Sequence, residues 1–139
     1  MSTGDEFLGK YRNSSSPMET LARKILDLDP AVLECNISSD PDGALLANVA
    51  KPEVRGVIGP YSRSGSGMGP TWGGVAINVL RRLDSERSPL KYIMISRERY
   101  DAIICPVRVH DRSIFIGILL EKNTNATRVY EALKNALAG

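Results

Sequence analysis

The chain has 139 residues, a mass of 15.2 kDa, 42% hydrophobic content and a net charge of +2 from 18 basic and 16 acidic side chains. One domain of this size buries roughly 65–70% of its unfolded surface, so it needs neither disulfide nor metal to build a core. So small and so evenly mixed a charge gives no argument for nucleic acid or an anionic membrane surface as partner.

Residues 1–16 (MSTGDEFLGKYRNSSS) are polar, small and aperiodic. They read as a flexible N-terminal tail with Phe7, Leu8 and Tyr11 as a sticky spot, ahead of a single domain over residues 17–139. No apolar run opens the chain, so neither a secretory signal nor a membrane span is expected, and the reading is cytoplasmic. Ser16-Pro17-Met18-Glu19 is a capping box with proline at the first helical position. Met18, Leu21, Ala22, Ile25 and Leu28 then mark one helical face, which Asp29-Pro30 should end.

Ala31, Leu33, Cys35 and Ile37 alternate with polar Glu34 and Asn36, the period of a strand with one buried face. The turn chemistry of Ser38-Ser39-Asp40-Pro41-Asp42-Gly43 leads to a returning strand, Ala44 to Val49. Residues 51–70 hold three prolines and five glycines and read as a surface loop. Trp72, Val75, Ala76, Val79, Leu80 and Leu83 recur at helical spacing, with Asn78, Arg81, Arg82 and Asp84 on the other face. After Ser88-Pro89 comes a third strand, Leu90 to Ile95, apolar on both faces and therefore covered on both. Tyr100 to Val109 and Ser113 to Leu120 make two more strands, joined at His110-Asp111-Arg112. Pro106 should cause a bulge, or end pairing with one neighbour. The run Ile114 to Leu120 is the most apolar and should be central. Asn123 or Thr124 should cap a last helix whose buried face is Ala126, Val129, Tyr130, Leu133 and Leu137.

Few residues suggest chemistry. Cys35 and Cys105 sit in apolar strand patterns and read as small core residues. His110 is the only histidine, which is too few for a metal site and leaves no base for an activated serine or cysteine. No enzyme activity, cofactor or metal is therefore expected. Gly65, Gly67, Gly69, Gly73 and Gly74 precede a helix as phosphate-binding glycines do, but no Lys-Ser/Thr pair follows and no βαβ context surrounds them. Trp72 is either core or interface anchor. Arg97, Glu98, Arg99, Tyr100 and Asp101 form a charged hairpin, either a solvated turn or a partner-binding patch.

The order helix, two strands, helix, three strands, helix resembles the roadblock/LC7 domain, an α+β sandwich related in layout to profilin. The likeness covers about residues 17–138. It rests on that order, on the hairpin AVLECNISSDPDGALLANV and on the tail DAIICPVRVHDRSIFIGILLEKNTNATRVYEALKNAL. The helix end ILDLDP is also similar to that of small archaeal roadblock-like proteins. The long glycine-rich loop departs from the compact family pattern. The resemblance implies a five-stranded antiparallel sheet in the order 2-1-5-4-3. The first and third helices would lie on one face and the second on the other. It also implies a non-enzymatic homodimer that serves as adaptor or regulator of a small Ras-like GTPase or of a signalling or motor complex.

On that reading the dimer interface is Trp72, Val79, Leu90, Tyr92, Ile93, Met94 and Ile95. The partner-binding residues are Arg81, Arg82, Arg97, Arg99 and Tyr100. Two alternatives come from other classes. A small-ligand sensor of PAS or GAF type would need a pocket, whereas these strands read as filled by Ile, Leu and Val. A profilin-like binder of a polymerising protein is the third.

Overall fold

A computed structural model describes residues 16–40, 44–54 and 89–138. The elements run α1 (Pro17–Leu26), β1 (Val32–Ser39), β2 (Leu45–Ala50), β3 (Ile93–Ser96), β4 (Tyr100–Val109), β5 (Arg112–Glu121) and α2 (Ala126–Ala138). The strands form one antiparallel sheet in the order β2-β1-β5-β4-β3, as expected, with the apolar run β5 at its centre. The expected middle helix, the glycine loop and the tail up to residue 15 lie outside the described residues.

The helix ends follow from local chemistry. Ser16 Oγ accepts the Glu19 N–H at 3.2 Å, satisfying one of the donors a helix start leaves open. The Asp27 N–H donates to Lys24 O and the Leu28 N–H to Ile25 O, so α1 closes in a tight three-residue turn before the expected stop at Asp29-Pro30. Asn125, not Asn123 or Thr124, caps α2: its Oδ1 accepts the Arg128 N–H at 3.1 Å. Asn123 instead turns the chain at φ 65°, a conformation its short amide tolerates.

Both helices pack on the same face. Met18, Ala22 and Ile25 of α1 and Ala126, Val129, Tyr130 and Leu133 of α2 bury against Cys35, Ile37, Ile103 and the even-numbered apolar residues of β5. Arg128 ties α2 to the loop after α1 with two bonds to the Asp29 carboxylate, at 2.8 and 3.0 Å. The alternation expected in β1 holds only in its second half. The register shifts between Val32 and Glu34, and Val32 takes the core place that the pattern assigned to Leu33. Glu34, expected on a polar face, is buried. Cys35 and Cys105 are buried and free, on strands that β5 separates. Burial pushes both thiols up, Cys105 to about 12, which leaves them inert near neutral pH.

Two hairpins organise the other half of the sheet. Val109 pairs with Arg112 across His110 and Asp111, whose φ values of 50° and 62° define a type I′ turn. His110 thus serves the turn, exposed and away from the core. Between β3 and β4, the Arg97 N–H donates to Tyr100 O at 2.9 Å, which fixes the hydrogen-bonding phase of that ladder. Even-numbered residues of β4 therefore direct their main-chain groups to β3, and odd-numbered ones to β5. The ladder reaches the pair Ile93 and Ile104, and the next even position is Pro106, which has no N–H to give. Pairing with β3 stops there. Pairing with β5 runs on undisturbed, because it does not use that group. The third strand accordingly lies over Ile93–Ser96 instead of starting at Leu90.

Candidate functional site

The edge strand β3 and the hairpin after it carry the residues singled out for recognition. Met94 and Ile95 are 47% and 39% exposed, large apolar side chains on the outermost strand. By the same alternation, Met94 and Ser96 direct their main-chain groups outward, away from β4. Such an edge is a template for another strand.

The hairpin is held from below by side chains. Asp101 occupies an inward position of β4 and is 2% exposed. Lys122, just after β5, donates to Asp101 Oδ1 at 2.8 Å, to Ser96 Oγ at 2.6 Å and to Arg97 O at 2.7 Å. All three ammonium protons are thereby used. Ser96 Oγ also donates to Asp101 Oδ1, and the Asn123 N–H donates to Asp101 Oδ2 at 3.1 Å. The Lys122 bond, with those from Asn123 and Ser96, holds the Asp101 carboxyl below its ordinary value, against the opposing effect of burial. The Arg97 backbone is fixed through both its N–H and its carbonyl, so the exposed side chains of Arg97, Glu98 and Arg99 project from a braced base.

Of the expected interface residues, Met94 and Ile95 are exposed at the edge. Leu90 and Ile93 are partly buried against Ile104 and Phe115. Tyr92 has turned inward. Its ring lies 5.3 Å from that of Tyr130, and its hydroxyl pairs with Thr127 Oγ1 at 3.2 Å. Tyr92 is thus engaged within the fold, where the sequence reading placed it between copies. Arg97, Arg99 and Tyr100 come together on the hairpin. Trp72, Val79, Arg81 and Arg82 lie outside the described residues. Sequence reasoning missed Lys122 as the brace. No spacing rule joins it to Asp101, and the available signal was an acid at an inward position of an apolar strand, which requires a partner.

Among the described residues no group of His, Cys, Asp and Glu could hold a metal ion, and no helix is long and apolar enough to cross a membrane.

No family model matches the chain, and no curated protein matches it in sequence. Solved structures do match. The roadblock/LC7 domain from Streptomyces avermitilis is similar at a TM-score of 0.63 and 8% identity, over 88% of this chain and 93% of that one. Myxococcus xanthus MglB gives 0.62 and 11%, over 89% and 91% of the two chains. MglC from the same organism gives 0.58 and 14%, over 86% and 92%. With the strand order and the shared helix face already established, these likenesses make the architecture that of the roadblock/LC7 fold.

Proposed function

We propose that the chain is a non-enzymatic, cytoplasmic adaptor or regulator that works as a homodimer, with a small Ras-like GTPase or a signalling complex containing one as its partner. The observation that carries this reading is an apolar edge strand beside a braced, arginine-bearing hairpin, on a fold whose relatives include MglB in a tetrameric arrangement. Antiparallel pairing of two β3 strands about a two-fold axis would remove both edges at once and form an isologous interface. The hairpins of the two copies would then flank one composite surface. Arginine and tyrosine are the side chains that most often carry interface energy, which favours Arg97, Arg99 and Tyr100 as contacts.

Sedimentation at micromolar concentration should give twice the mass of 15.2 kDa. A monomer there would overturn the dimer. Replacing Arg97 and Arg99 by alanine should leave dimer and stability intact while weakening capture of the partner GTPase at least tenfold, about 1.4 kcal/mol. Unchanged capture would move the contact off the hairpin.

A further inference from the structure

At the other end of β4 from the Lys122 brace, a groove of about 640 Å³ opens between the lead-in to β3, the last residues of β4 and the C-terminal half of α2. Its apolar surface comes from Leu90, Val107 and Leu137, and its charges are Lys91, Arg108 and Lys134. Among the described residues no acidic side chain lines it. The groove exists because Pro106 ends the β3 ladder: beyond it the two strands part. Arg108 is the next even-numbered residue of β4, so its main-chain N–H and C=O point to the side where β3 no longer pairs.

We propose that this groove binds an extended segment of a partner protein in which acidic and apolar residues alternate. Three features select that chemistry. The described lining residues carry three cations and no acid, so an incoming carboxylate meets net positive charge from them. The Arg108 main chain offers one donor and one acceptor in strand geometry, which an extended peptide matches and a compact ligand does not. The groove is also partly open to solvent. It would leave part of a small molecule in water, whereas a peptide gains contact by its length. Apolar side chains of the peptide would lie over Val107 and Leu137, and alternate acids would face Lys91, Arg108 and Lys134. The site lies beyond the exposed residues Met94 and Ile95 of the β3 edge, and its reading does not require a GTPase partner.

The test uses the full chain and fluorescein-labelled octapeptides that alternate Glu with Leu, read by fluorescence anisotropy. Saturable binding is expected. It should weaken roughly tenfold or more in Lys134→Glu and in Arg108→Glu, and fall with added salt. Matched peptides with Lys in place of Glu should not bind. Arg108 and Lys134 are both exposed, so each variant should unfold at the parent's denaturant midpoint. Absence of saturable binding, or binding indifferent to both charge reversals, overturns the proposal. So does charge-dependent binding of decanoate without binding of the peptides, which would assign the groove to small amphipathic anions.

Discussion

The two faces of the sheet are built differently. Under α1 and α2, Cys35, Ile37, Ile103, Ile116, Ile118 and Leu120 belong to one continuous apolar cluster. On the opposite face, among the described residues, Phe115 and Ile104 make a small cluster with Leu90 and Ile93. There the pairs Ser38 with Phe115, Asn36 with Gly117 and Glu34 with Leu119 set polar side chains of β1 beside β5. A purely apolar face is specified mainly by volume and pattern. A mixed face is specified by individual contacts, each of which must fit its one neighbour.

The largest effect should come from the centre of the mixed face. Phe115→Ala should cost about 3–5 kcal/mol in chemical unfolding, because the ring is fully buried. A loss under about 1 kcal/mol would mean the small cluster does not hold the sheet. Ile118→Ala, on the helix-bearing face, should cost a comparable or smaller amount, about 2–5 kcal/mol.

A smaller effect tests the contact between Asn36 and Gly117. A Cβ at Gly117 would lie 2.5 Å from Asn36 Oδ1, so Gly117→Ala forces the amide aside. The expected cost is about 1 kcal/mol. With Asn36→Ala also present, the clash is gone, and the added alanine should become neutral or stabilising by about 0.5–1 kcal/mol, since glycine is a poor strand residue. Equal costs in both backgrounds would remove Asn36 as the cause.

The smallest change near neutral pH concerns the polar anchors at the rim of the helix-bearing face. The Ala31 N–H and then Arg128 hold the Asp29 carboxyl below its ordinary value, as Lys122 chiefly does for Asp101. A carboxyl depressed in the folded state adds stability that is present above its unfolded value of 3.8 and is lost as pH falls through its lower folded value. Stability should therefore be flat with respect to these two groups above about pH 5 and decline in stronger acid. Asp101→Asn should shrink that acid-side slope, which a urea titration at successive pH values would measure.

The apolar face was the legible one. α1, α2, β4 and β5 follow from apolar spacing and capping residues, because two helices and the strands beneath them bury alternating or four-spaced side chains. Pro106 was readable as an end to pairing with one neighbour, and the ladder phase determines which. The failures have local causes. The bulge after Val32 adds a residue that strict alternation cannot count. Asn125 outcompetes two other good capping residues within three positions. Tyr92 belongs to an apolar run, yet its hydroxyl finds Thr127 across a long sequence separation. The edge residues Met94 and Ile95 were named from the sequence. The Lys122 brace was not, because its partners lie on a different hairpin.

Pro106 also bears on solubility. The run Leu90-Lys91-Tyr92-Ile93-Met94-Ile95 has the length, of about six residues, the β-branched content and the low charge of segments that stack into fibrils. Paired along its full length, it would present a long, flat strand to every neighbouring molecule. A proline on the adjacent strand, two positions beyond the last pair, denies the run its first three residues and leaves only Ile93–Ser96 in the sheet. One missing N–H thus acts as a gatekeeper against fibril growth from a distance in sequence, without placing a charge in the strand it restrains.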